Sequence, residues 1–188
     1  LCLPTLVIAD LDSAQKEGHH KAVRPERGKG LISGNYTIYK WLIQKSNLDE
    51  LLELPFKEKE TIKKTPYEFP IRVAYQTPVT INYDEKDNEA LSSTFEDCLV
   101  YTNYQTFKDL SLEDSGNLVK KISDKINTSN TFDEFVNGIY DTLRNGKSDQ
   151  KAEFALDLIY AIDPDELTVP AYIDEGLNWL QSYLEPEV

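Results

Sequence analysis

Asp10 and Asp12 are the residues of this sequence best placed to do chemistry. They follow directly on the apolar run Thr5–Ala9, in the order TLVIADLDSA. Two carboxylates at i and i+2 leave a strand on the same face. The turn beyond the strand then lets both meet one hard cation such as Mg2+. In parallel sheets, ligands gather at the carboxyl ends of strands. The bland alternative is a solvated acidic turn, because Asp commonly ends strands. The near-continuous apolar run suggests a strand buried on both faces, and this favours the metal reading.

The next conspicuous stretch is basic. Residues 16–29 hold Lys16, Lys21, Arg24, Arg27 and Lys29 against Glu17 and Glu26, a local net charge of +3. The whole chain of 188 residues has 20 Lys+Arg and 33 Asp+Glu, a formal charge of −13. That acidity argues against a free-standing nucleic-acid binder. The basic loop, lying next to the acidic turn, is nevertheless the best candidate for a DNA backbone contact; a solvated loop is the alternative. Asn35 and Thr37, at the start of the next helix, could support the acidic turn. His19 and His20 read as part of a polar loop, Trp41 and Trp179 as core residues, and Cys98 as a small buried one. Cys2 and Cys98 form no metal-type pair and point weakly to a reducing, cytoplasmic compartment.

These groups need elements to position them. After the first strand (5–9), residues 14–34 read as a long Gly-containing loop. A helix is expected over 36–45, capped by Ser33 or Asn35, and a short one over 48–54, capped by Asn47 and stopped by Pro55. Residues 57–64 read as a charged helix or connector. Residues 70–83 read as one or two strands interrupted by Pro78, and 83–89 as a turn. Ser92 or Ser93 would cap a helix carrying TFEDCLVYTN. Further helices are expected over 116–127, 132–144 and 149–161, the second opened by a Thr131/Glu134 capping box. The last helix, 171–184, follows Pro170, with Ile173, Leu177, Leu180 and Leu184 as its apolar stripe. No apolar run approaches the roughly 20 residues that span a bilayer. The chain contains no Met, and its opening LCLPTLVIAD reads as mid-strand, so a piece of a longer protein is expected.

Two enzyme groups place DxD after a first strand. Haloacid-dehalogenase-like phosphatases use the first Asp as a nucleophile, and LVYTN (99–103) mimics their second motif. Here Ala14 stands where they carry Thr or Val, and 99–103 reads as the tail of a helix. The closer resemblance is to the Toprim catalytic region of overcoming-lysogenization-defect (OLD) family nucleases. TLVIADLDSA (5–14), SGNYTIYKWL (33–42), STFEDCLVYTN (93–103) and KAEFALDL (151–158) with VPAYIDEGLNWL (169–180) resemble that family's segments, in its order. Two departures stand out. The family's acidic residue after an earlier strand would lie before Leu1, and Ser92 or Ser93 replaces the Arg that often precedes its FE pair.

The resemblance implies an α/β fold with a Toprim-like parallel sheet core whose first part precedes this chain. It implies a single domain over 1–188, with core pieces at about 1–34 and 70–110 and helical elements at 35–65 and 116–185. It implies a DNA endonuclease cutting by two-metal hydrolysis with Mg2+ or Mn2+. Asp10, Asp12 and Glu96 would be metal ligands, Ser13 would supplement them, and Lys151 would be catalytic, stabilising charge on the scissile phosphate. An upstream ABC-type ATPase domain, a homodimer and a role in phage defence are further implications. No P-loop pattern occurs in the chain itself. The alternatives are a phosphatase with Asp10 as nucleophile, or a degenerate Toprim module that only mediates assembly.

Overall fold

A parallel pair of strands sets the frame. In a computed structural model describing residues 3–17, 21–64, 68–111, 118–144 and 150–184, β1 (Thr5–Ile8) runs parallel to β5 (Glu68–Ala74), with Thr5 opposite Ile71 and Ile8 opposite Ala74. β4 (Glu60–Lys64) pairs antiparallel on the other side of β5, giving the order β1-β5-β4. β2 (Ser13–Ala14) and β3 (Ile32–Ser33) form a short antiparallel pair. β6 (Val79–Tyr83) and β7 (Lys86–Ala90) form a hairpin. The helices are α1 (Leu48–Leu52), α2 (Phe95–Thr102), α3 (Tyr104–Asp109), α4 (Leu118–Thr128), α5 (Phe132–Arg144), α6 (Gln150–Ala161) and α7 (Ala171–Leu184). The chain is therefore mixed α/β. Among the described residues, no helix is long and apolar enough to cross a membrane.

The contacts divide the chain into two units: 1–77 with 91–94 and 170–188, and 78–90 with 95–169. In the first unit, α7 packs on β1 and β5. Gly176 makes the close approach possible, since a Cβ there would stand 3.0 Å from Leu6 Cδ1 and 3.2 Å from the Ala74 Cβ. That contact shifts the buried face of α7 one residue from the expected stripe. Tyr172, Gly176 and Trp179 are buried, while Leu177 and Leu184 are exposed. The Tyr172 hydroxyl accepts from Gln76 Nε2 and Trp179 Nε1 donates to Glu60, so both large rings face inward with a partner at their polar tips.

The second unit is built around Phe135. Tyr83 stacks on it at 5.9 Å, and Tyr101, Tyr104 and Phe132 meet it at 5.3–5.9 Å. The capping box forms: Thr131 Oγ1 accepts from Glu134 N–H, while the Glu134 carboxylate accepts from Asn130 N–H, one residue before the position expected.

Other expectations need correction. β1 is not buried on both faces: Leu6 and Val7 are half-buried and Ile8 is 49% exposed, because β1 is an edge strand of the described sheet. Residues 57–64 are not helical throughout; a 3-10 turn at Phe56–Lys59 gives way to β4. The turn expected at 83–89 shrinks to Asp84-Glu85, both at positive φ, which is the backbone a two-residue hairpin needs. The predicted starts of α4 and α6, at 116 and 149, and the pair His19-His20 lie outside the described residues.

Two cations are buried in the first unit. The Arg72 guanidinium stacks 3.2 Å from the Phe56 ring centre, donates to Phe56 O and faces Glu175 at 3.9 Å. The Lys59 ammonium sits 4.3 Å from the Tyr75 ring centre. Burial, helped by the nearby Arg72 charge and opposed by Glu175, lowers the Lys59 pKa to about 8 from 10.5. Between those values the unfolded chain binds more protons at this site than the folded one, so the Lys59 contribution makes stability rise with pH from about 8 to 10. Lys59→Met should therefore be more stable than the unaltered protein at pH 7, by of order 2–3 kcal/mol. That advantage should shrink by pH 10 in a series of thermal melts. An advantage that does not change with pH would contradict this.

Candidate metal centre and its surroundings

The turn Asp10–Ser13 begins where the β1–β5 ladder ends, at the bond from Ala9 N to Ala74 O of 2.9 Å. Beyond it the chain cannot continue as a strand, because Asp12 takes a φ of 50°. Asp and Asn enter that left-handed region far more readily than β-branched residues. Several peptide groups of the turn find partners elsewhere in the chain. Leu11 N donates to Gln76 Oε1 at 2.7 Å, and Asp10 O accepts from Asn35 Nδ2 at 2.7 Å. Asp12 O accepts from Gly34 N at 2.7 Å, and Asp12 N donates to Ser93 O at 3.0 Å. Ser13 N donates to Ser93 Oγ at 2.8 Å. Gly34 is required there, since a Cβ would stand 3.0 Å from Asp12 O.

Gln76 is the residue that the sequence reading missed. It is fully buried and lies just past the end of β5. Its Nε2 donates to Asp10 Oδ1 at 2.9 Å while its Oε1 holds Leu11 N. One side chain thus fixes both the carboxylate and the turn that carries it. The signal was a Gln ending the apolar segment PIRVAYQ, at the same end of the sheet as Asp10. Asn35 behaves as expected: besides holding Asp10 O, it accepts from Thr37 N at 3.0 Å, so one side chain caps the next helical turn and supports the acidic one.

The donor set on this turn is all oxygen: the Asp10 and Asp12 carboxylates and the Ser13 hydroxyl. Such a set suits Mg2+ or Mn2+. Ser13 Oγ is buried and has no hydrogen-bond partner among the described residues. A buried hydroxyl in that state is costly unless something outside the chain satisfies it, which fits a place beside a cation. Among the described residues, no three His, Cys, Asp or Glu side chains come close enough to hold an ion by themselves. Two carboxylates and a hydroxyl are what this turn offers.

Glu96 and Lys151 belong to the second unit, on α2 and α6. The structure brings these two together, with Lys151 Nζ 3.3 Å from Glu96 Oε1. Glu96 is nearly buried and Lys151 is mostly exposed. Residues 99–102 are helical within α2, as the sequence reading expects, so the strand that a phosphatase second motif needs is absent at that position.

The five basic residues separate. Lys16, Arg24 and Lys29 line one cavity of about 560 Å3 in the first unit, together with Glu17 and Glu26. Arg24 is paired with Glu26 at 3.2 Å. Lys21 and Arg27 lie outside that lining, and Arg27 is held by Glu53 at 2.6 Å. Gly28 and Gly30, both at positive φ, let the loop fold round the cavity.

Geometry thus defines an α/β chain that presents a fixed acidic turn at the carboxyl end of a strand with a parallel partner. No family model matches the chain, and no solved structure matches it. It is 28% identical over 195 residues to Endonuclease GajA of Bacillus cereus (strain HuB5-5). That alignment takes in 100% of this chain and 25% of the relative, so the chain spans about a quarter of the length of the protein it resembles. The chain is related in sequence to a nuclease.

Gln76→Met removes the acceptor of the buried Leu11 N–H at nearly constant volume. The expected cost is about 1–3 kcal/mol in urea denaturation. A change below about 0.5 kcal/mol would show that the turn does not depend on Gln76.

Proposed function

We propose that this chain is the metal-dependent catalytic part of a DNA endonuclease, with a Toprim-like core, within a larger protein of the OLD kind. The observation that carries the reading is the tied-down Asp10–Ser13 turn, in a chain that aligns over its whole length with an endonuclease. Asp10 and Asp12 would hold Mg2+ or Mn2+, two ions in all, with Ser13 beside them. Glu96, three residues along the chain from Ser93, would supply a further carboxylate. When bound, such ions activate a water and stabilise the leaving oxygen of a phosphodiester.

The chain's own residues do the rest. Gln76 holds one oxygen of Asp10, so that carboxylate meets its ligand in a fixed orientation. Lys151 supplies a positive charge for the scissile phosphate, and its pairing with Glu96 limits where that charge can go. Lys16, Arg24 and Lys29 form the first backbone contact, with Lys21 and Arg27, outside that cavity's lining, adding to it from the same loop. An ATPase domain of the ABC type elsewhere in the protein, a homodimer, and a role in defence against phage complete the proposal.

The test is cleavage of supercoiled plasmid by the purified protein with Mg2+ or Mn2+, alongside a small phosphate monoester. Asp10→Asn and Lys151→Ala should each lower plasmid cleavage at least about 100-fold while the thermal midpoint stays in place. Unaltered rates in either variant would remove that residue from the mechanism. Turnover of the monoester alone would favour the phosphatase with Asp10 as nucleophile. A folded protein inert on both substrates would favour the assembly module.

A further inference from the structure

The helical turn at Thr37–Leu42 is a π-helix, and the acidic site does not explain it. An ordinary amphipathic helix over 36–45 would put Trp41 in the core with Ile38 and Leu42. Instead Ile43 N donates to Ile38 O at 3.1 Å, a bond spanning five residues. A ladder of that span brings residues five apart onto one side. Ile38 stays fully buried, while Tyr36 and Trp41, five apart, are 67% and 47% exposed. Tyr39 meets Tyr36 edge-on at 5.4 Å, and Lys40 Nζ stands 5.6 Å from the Tyr39 ring centre. Short π-helical stretches are frequent at functional sites.

Two lysines share a cavity with Tyr39, the ring that meets Tyr36. A second cavity, of about 260 Å3, is lined by Lys16, Tyr39, Lys40, Ser33 and Ser46 among others. Lys16 also lines the larger cavity, whose lining holds Arg24 and Lys29 together with Glu17 and Glu26, so the two cavities share a lysine and Lys40 adds a second at the smaller one. The aromatic turn is joined to the acidic one by direct bonds. Ser33 pairs with Ser13 across β2–β3, and Asn35 holds Asp10 O.

We infer that this turn is a stacking platform for an unpaired nucleotide of DNA. Tyr36 and Trp41 take base faces, and Lys16 and Lys40 take the adjoining phosphates. Aromatic rings interleaved with cations are how proteins hold single strands, because every base has a π-face and every nucleotide a charge. The lysines around the rings, in a chain of net charge −13, favour a nucleic acid over an apolar protein surface as the occupant. The inference rests on the nuclease reading and deepens it: the substrate would be DNA with an unpaired base near the scissile phosphate, not an uninterrupted duplex.

The test measures binding without divalent metal, so it is independent of cleavage. Fluorescence anisotropy would compare a forked DNA with a fully paired duplex of the same length. Tyr36→Ala with Trp41→Ala should weaken binding of the fork about tenfold or more and of the duplex less than about twofold. Tyr36→Phe with Trp41→Phe should stay within about threefold on both. With no divalent metal present, a failure of the metal site leaves this measurement untouched and is told apart from a failure of the platform. Equal weakening on both probes, no weakening, or a Phe variant as weak as the Ala variant would overturn the inference. If the Ala variant does not fold, 2-aminopurine in the unpaired arm decides. Its fluorescence should change on saturation with the unaltered protein, and a constant signal would overturn the inference.

Discussion

Three stretches of chain, at Gly34-Asn35, Gln76 and Ser93, bond to peptide groups of the turn Asp10–Ser13, and the first unit is organised round that network. A strand that ends in two acidic residues would ordinarily fray, since its carboxylates repel and its peptide groups lose their ladder. Here several peptide groups of the turn are bonded to other parts of the chain, and Asp10 is fixed at one oxygen by Gln76. Asp12 is held at a positive φ by bonds on both sides of it. Strain of this kind persists only where the surroundings over-determine it, and it concentrates at functional sites. The same network sets where β2 begins and how β3 and the π-helical turn approach.

Charge is distributed in a way the total of −13 hides. The basic loop brings Lys16, Arg24 and Lys29 together with Glu17 and Glu26 round one cavity, and Lys16 meets Lys40 at a second. Two further cations, Lys59 and Arg72, are spent inside the first unit on aromatic rings and Glu175. An acidic protein can contact a polyanion when its few accessible cations are grouped and its carboxylates are matched by metal ions. Under that arrangement DNA affinity would fall only modestly with salt, because the contact neutralises few phosphates.

Much of this could be read from the sequence, and what could not has a physical reason. The strand TLVI, the turn after it, the Asn47 and Thr131 caps, and the span of α7 follow from local patterns, since each depends on neighbours within four residues. The buried face of α7 did not, because it is set by Gly176 meeting Leu6 and Ala74. Trp41 was misplaced because its periodicity assumed an α-helix, and the i to i+5 bond at Ile43 turns it outward. Gln76 went unnoticed because its role depends on β5 lying beside β1, a pairing across 66 residues. The acidic pair itself was readable; which atoms hold it in place was not.

The central claim is that the Asp10–Ser13 turn holds a divalent cation. Isothermal titration of Mn2+ into the protein and into Asp12→Asn tests it most directly. Asn tolerates the left-handed backbone, so the turn survives and only the charge is lost. Saturable binding that is lost or weakened at least tenfold in Asp12→Asn, with an unchanged thermal midpoint without metal, is the expected result. Equal binding by the two proteins, or no saturable binding by the unaltered one, would contradict it.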